Sequence, residues 1–126
     1  MKIATYKKQE NADFFILNKG DQAGKPSLKP WHAGNCFAVN SENPKEDFAR
    51  VYCAYISRSF YPYLLGTAIP FLRISDIRKV LGLTKHIKRD ELSKIYEAEQ
   101  KIRHYEKVLR LCTELRDSLA RKAMQQ

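Results

Sequence analysis

This chain is poor in the residues that carry most small-protein chemistry. Its three cysteines, Cys36, Cys53 and Cys112, are widely spaced and form no CxxC pair. They make no secreted-type disulfide framework and read as reduced thiols of a cytoplasmic protein. The five glycines match neither a Walker loop nor a dinucleotide fingerprint. His32 and Cys36 have metal-ligand spacing, but no second pair completes a site with Cys53, His86, His104 or Cys112, so no metal and no cofactor are expected. Between Asp47 and Asp90 the only acid is Asp76. A metal-dependent nuclease needs several carboxylates around its ion. No G-x-S-x-G is present, and no nucleophile has an evident base and orienting group. The sequence therefore offers no catalytic residues, and an enzyme is not expected. The longest uncharged run, Ser59 to Leu72, is broken by Pro62, Gly66 and Pro70 and is too short to span a bilayer. The N-terminus lacks the apolar core of a signal peptide. The expectation is a protein with no membrane segment.

What the chain does have is positive charge and one long helical pattern. The formal net charge is +9 in 126 residues. Most of it comes from Phe48 to Arg89, where Arg50, Arg58, Arg73, Arg78, Lys79, Lys85, Lys88 and Arg89 face one acid. Such a balance favours acidic partners, nucleic acid among them. The length suits one domain with an extension. The expected fold is α+β: a small mixed head over residues 1–84, with few strands and one amphipathic helix, then a long coiled-coil-like helix over 85–126.

Within the head, Lys2 to Tyr6 reads as a short strand. Phe14 to Leu17 and Cys36 to Val39 are apolar runs rich in β formers and read as two more. Residues 18–21 form a turn, and Gln22 to Asn35, with two glycines and two prolines, is expected to be an ordered loop with Trp31 on the core. Asn43 is placed to cap a helix beginning at Pro44, with Glu46 and Asp47 in its first turn. Phe48, Val51, Tyr52, Tyr55 and Ile56 fall on one helical face. Pro62 is expected to end that helix nearby. Phe71 to Ile74 is expected as a strand, followed by a short helix capped by Ser75 and stopped by Gly82.

From Asp90 to about Met124 the pattern is a heptad. Ile95, Ile102 and Leu109 take the a positions. Ala98, Tyr105, Cys112 and Leu119 take d, while Val108 and Leu115 flank the seam at g. Arg116 falls at a and weakens the seam late. No Gly or Pro interrupts the run. Such a helix would be about 52 Å long and would outreach its own head. Its stripe is expected to pair with a second copy or another protein's helix, or else to fold back as a hairpin. The pairing residues are Ile95, Ile102, Tyr105, Leu109, Cys112 and Leu119.

The basic stretch interleaves aromatics with Lys and Arg, as nucleic-acid surfaces do. Arg58, Tyr63, Gly66, Thr67, Arg73, Arg78 and Lys79 are the candidate DNA contacts. The plainer alternative is that Tyr52 and Tyr55 are core while Arg50 and Arg58, two turns apart on one side, simply solvate that side.

Two resemblances bear on these segments. Asn18, Lys19 and Gly20, together with Tyr63-Leu64-Leu65-Gly66-Thr67-Ala68-Ile69-Pro70, resemble the N-K-G and Y-L-x-G-x-x-I-P motifs of a small family of unknown function from mobile elements of gut anaerobes. Over residues 13 to 115 the chain is also similar to the end of a target-recognition domain in type I restriction–modification specificity subunits. In that family a helix precedes a G-[ST]-x-I-P loop, a strand and short helix follow, and a long helix closes the unit. Here those parts are Pro44–Phe60, Gly66–Pro70, Phe71–Leu81 and Asp90–Met124. The resemblance implies a DNA-associated accessory protein, either a shortened half of such a subunit or equally a degenerate relative that kept the scaffold and lost the readout, with Gly66, Thr67 and Arg73 near the reading loop. A full recognition domain is longer than this head, which puts part of the reading surface in doubt. The expected partners are DNA and a second copy. The alternative is a protein-interaction module whose helix docks on another subunit.

Overall fold

The computed structural model describes residues 1–7, 11–31 and 34–125. It is an α+β fold. Strands β1 (Lys2–Thr5), β2 (Phe14–Leu17), β3 (Pro26–Ser27) and β4 (Cys36–Asn40) form one antiparallel sheet in the order β1-β4-β2-β3. Helix α1 spans Pro44–Ile56, α2 Ile74–Gly82 and α3 Arg89–Met124, with a 3₁₀ turn at Tyr61–Tyr63. The loop expected over Gln22 to Asn35 thus contains a two-residue strand. Nothing in its composition marks so short an element.

The apolar runs in β2 and β4 do not alternate because both sheet faces are covered. Ile3, Phe14, Ile16, Phe37 and Val39 face the main core, where Phe48, Val51 and Ala54 of α1 and Ile77, Val80 and Leu81 of α2 meet them. Phe15, Cys36 and Ala38 point the other way, beneath Tyr6, Ala12 and Trp31. Register ties the layers together: Val39 pairs with Ile3 on one side and Phe14 on the other.

Helix α1 starts at Pro44, yet Asn43 makes no side-chain cap. The Ser41 hydroxyl instead ties the preceding turn to the start of α1. It accepts the Asn43 N–H at 3.0 Å and donates to the Asp47 carboxylate. The buried face is Phe48, Ala49, Val51 and Ala54, while Ile56 is 62% exposed. The expected face is therefore turned toward the two alanines, whose small side chains let the α1 backbone approach its neighbours. The helix ends earlier than Pro62 demands. Ser59 N–H reaches Ala54 O and Arg58 N–H reaches Tyr55 O, the two bonds of a Schellman motif. Its left-handed position, usually Gly, is occupied by Arg58 at φ 60°.

The strand expected at Phe71 to Ile74 is reduced to single bridges, Phe71 to Lys19 and Phe71 to Leu65. Arg73 already precedes α2 and Ile74 opens it, so too few extended residues remain. Arg73, not Ser75, takes the cap position, and Gly82 is the last helical residue with no positive φ. The helix stops at Leu83 and Thr84, whose hydroxyl donates to Leu81 O at 2.7 Å.

Helix α3 runs unbroken for 36 residues, about 54 Å, so no fold-back hairpin forms. Leu92 is fully buried, and Tyr96 packs edge-on against Phe48 with ring centroids 5.7 Å apart. Arg89 pairs with Glu46 at 3.4 Å, and Lys45 sits 5.8 Å over the Tyr96 ring. The first turns of α3 are thus part of the head's core.

Candidate helix-pairing face and basic surface

Tyr96 and Tyr105 are nine residues apart, about two and a half turns, and so lie on opposite sides of α3. Leu92 and Leu119 are related in the same way. The side that meets the head continues as Glu99, Arg103 and Arg110, which are polar. Arg103 binds Glu99 at 2.7 Å and Glu106 at 3.5 Å along that flank. The heptad stripe therefore faces away from the head, while the opposite flank, through Arg110, lines a cleft with Ser27, Leu28 and Lys29. Ile102 is 50% exposed, Tyr105 67%, Leu109 69% and Leu119 58%. Val108, Leu111 and Leu115 are exposed beside them. Cys112 is exposed as well, and Ile95 is half-buried near the head. Among the described residues, no side-chain hydrogen bond or ion pair links the chain after Tyr96 back to the head. Lone apolar side chains on a surface need no explanation, but a contiguous stripe of this length does.

The basic stretch divides into two groups. Arg50 donates to Thr84 O at 2.6 Å, Arg73 to the buried Asp76 carboxylate at 2.9 and 3.3 Å, and Arg78 to Met1 O at 3.2 Å. Arg89 is held by Glu46. Arg50, Arg78 and Arg89 thereby join separate segments of the fold, and Arg73 closes the first turn of α2. Among the described residues, no hydrogen bond or ion pair engages the side chains of Arg58, Lys79, Lys85 or Lys88.

Nor do the candidate DNA contacts form one patch. Leu72 N–H bonds Asn18 O at 2.9 Å and Gly20 N–H bonds Pro70 O at 2.8 Å, which ties the 64–72 loop to the turn after β2. Arg58 lies at the same end, lining a cleft with Asp21, Tyr55 and Tyr61. Gly66 (φ 94°) and Thr67 are exposed on this loop, and Tyr63 is half-buried against the core. Gly66 has little room for a side chain, because a Cβ would meet Ile69 O at 2.9 Å. Met1 and Arg78 sit at the other end of β4, since Lys2 pairs with Asn40 whereas Leu17 pairs with Cys36. The structure thus brings Arg58, Tyr63, Gly66, Thr67 and Arg73 together and sets Arg78 apart. Lys79 is exposed next to Arg78 in the chain. Tyr61 and Phe71, two of the interleaved aromatics, are exposed at this loop end, together with Ile69 and the bridged Lys19, which the candidate contacts leave out. The run of residues 63–71, uncharged but not covered, was the available signal.

A left-handed arginine is costly, roughly 1–3 kcal/mol for a non-glycine residue held there. Arg58→Gly is expected to raise the thermal unfolding midpoint by a few degrees. If the midpoint instead falls, the Arg58 side chain stabilises the fold by contact and the backbone argument fails.

The cysteines do not gather. Cys36 is buried in the sheet, and burial pushes its thiol above the ordinary range, opposed by a hydrogen bond from the Trp31 backbone. Burial raises Cys53 too, against the field of Arg50. Both are therefore protonated at neutral pH and poor nucleophiles or ligands. His32 lies outside the described residues. His86 bonds Leu83 O, and His104 packs against Tyr105. No cluster of three or more His, Cys, Asp or Glu with metal-holding geometry occurs among the described residues. No helix among them is long and apolar enough to cross a membrane.

Comparison with curated proteins and with solved structures finds no match. One family does match, over residues 3–122, which takes in the sheet, all three helices and the exposed stripe: the chain belongs to the family of unknown function DUF6943.

Proposed function

We propose that this protein is a non-enzymatic, DNA-associated accessory module that self-associates through α3. The observation that carries the reading is the stripe Ile102, Tyr105, Leu109, Cys112 and Leu119, exposed on the side of α3 turned away from the head. Burying such a stripe against a like helix is favourable by roughly 25 cal/mol per Å² of apolar surface, and knobs-into-holes packing gives it a geometry. The order α1, loop, α2, long helix supports the likeness to the closing part of a specificity-subunit recognition domain. A shortened half of that kind would work as a pair. The DNA-facing part is the loop end, where Arg58 and Lys19 stand beside Gly66 and Thr67. A mobile-element setting suits a small module of this sort.

The second reading is a protein-interaction module that binds no DNA. It is favoured by the engagement of Arg50, Arg73, Arg78 and Arg89 within the fold, which leaves fewer groups for phosphate. Binding to a labelled random duplex at two salt concentrations, with mass measured by light scattering, separates the two. The first reading expects a dimer and micromolar binding that weakens steeply with salt. No duplex binding at low salt supports the second, in which α3 docks on another subunit. A monomer at high micromolar concentration removes self-association and with it the first reading.

A further inference from the structure

The two flanks of the α3 stripe carry opposite charge. The g positions are Lys94, Lys101, Val108 and Leu115, and the e positions are Glu99, Glu106, Thr113 and Ala120. Charges at e and g set the orientation of paired helices. In a parallel, in-register pair, each g residue meets the e residue five positions later in the other chain. Lys94 then meets Glu99, Lys101 meets Glu106, Val108 meets Thr113 and Leu115 meets Ala120, each twice by symmetry. In an antiparallel pair g faces g and e faces e, which sets Lys against Lys and Glu against Glu. We propose that the occupant of the exposed α3 face is a second copy of this chain, with the two helices parallel and in register. This rests on the self-association reading above and adds its direction.

The rest of the helix agrees with that arrangement. The head attaches through Leu92 and Tyr96 on the side opposite Tyr105, so a partner along the stripe meets the helix and not the head. Glu99 and Glu106 are already gathered by Arg103, and Lys101 of the second copy joins that network from the open side. Arg116 at a would face its own copy, a like-charge contact that limits the seam toward its C-terminal end. Arg116 keeps Asp117 at 3.0 Å, which offsets part of that repulsion. Cys112 at d faces Cys112 of the second copy in this register alone, because antiparallel helices place d residues against a residues.

Cys112 is therefore a built-in reporter. With oxidised glutathione, two Cys112 thiols give up two electrons and two protons to form one disulfide, and the glutathione disulfide is reduced to two thiols. The full chain, mixed with oxidised glutathione, is expected to give a covalent dimer whose linked peptides both contain Cys112. A dimer by light scattering that forms no such link overturns the parallel register while self-association stands. A monomer overturns both. The charge arm is independent of the thiol. Lys101→Glu is expected to weaken dimerisation by about tenfold, and adding Glu106→Lys restores it. Tighter dimerisation by Lys101→Glu alone would show that like flanks face each other and would overturn the proposal.

Discussion

Replacing Ile102 and Leu109 by Asp is expected to leave a monomer with an intact head. Each side chain is half or more exposed in the single chain, so the substitutions remove few contacts there. In a pair the symmetry doubles the damage: four apolar knobs are lost and four carboxylates enter the seam. Burying one Ile or Leu is worth about 1.5–3 kcal/mol, and a carboxylate forced into an apolar layer costs more than the hydrocarbon it replaces. Association should weaken by at least roughly a hundredfold. Sedimentation of both forms across a range of concentrations reads the change. Trp31, on the far face of the sheet, controls for the head, and its fluorescence should not move. A variant that keeps the wild-type mass would mean that the stripe is not the pairing surface. Helical circular dichroism should fall with the mass, because the turns of α3 beyond the cleft that ends at Arg110 are supported by pairing and isolated helices of that length are marginal.

Phe48→Ala is the largest expected loss of stability, about 3–5 kcal/mol. The side chain is 2% exposed and stands between Phe14 of β2, at 5.5 Å, and Tyr96 of α3, at 5.7 Å. Its removal opens a cavity where the sheet, α1 and α3 meet. A domain of this kind has roughly 5–15 kcal/mol in total, so the variant should unfold at markedly lower urea, by about 1–3 M, with its m-value unchanged. Ile56→Ala on the same helix should change stability by less than about 0.5 kcal/mol, because Ile56 is exposed. If both variants lose the same amount, Phe48 is not the junction described here. Tyr96 also fixes where α3 leaves the head, so Phe48→Ala should loosen that exit before it alters the far end of the helix.

The elements with long or continuous apolar patterns were legible in the residues. The heptad pattern predicts α3 from Asp90 and the helix begins at Arg89, with Asp90 and Glu91 in its first turn and no Gly or Pro to break its 36 residues. Strands β2 and β4 were legible for a related reason: covered on both faces, they keep Phe, Ile and Val in unbroken runs. What escaped was decided by tertiary partners. Asn43 has the chemistry of a cap, yet its side chain caps nothing, and Ser41 binds the Asn43 N–H and the Asp47 carboxylate beside it. Ile56 continues the apolar period of α1, yet the helix is rotated onto Ala49 and Ala54. The end of α1 was hidden because no residue table places Arg58 in a left-handed turn. The basic stretch looks continuous in sequence and is divided in space, since α2 carries Arg78 away from Arg73 toward Met1. The candidate pairing residues Ile102, Tyr105, Leu109, Cys112 and Leu119 do lie on one exposed stripe, since heptad spacing is a property of the helix itself.

The sheet itself is a poor place for another chain to join. Its outer strand on one side, β3, is two residues long, and Pro26 has no N–H to offer. On the other side β1 is four residues long, opens with the exposed Lys2, and has the Met1 carbonyl already taken by Arg78. Short, charged and proline-bearing edges resist strand addition and the fibrous growth that follows from it. A protein with both edges blunted in this way can present a helix with a long apolar stripe at high concentration without its sheet becoming a template for aggregation.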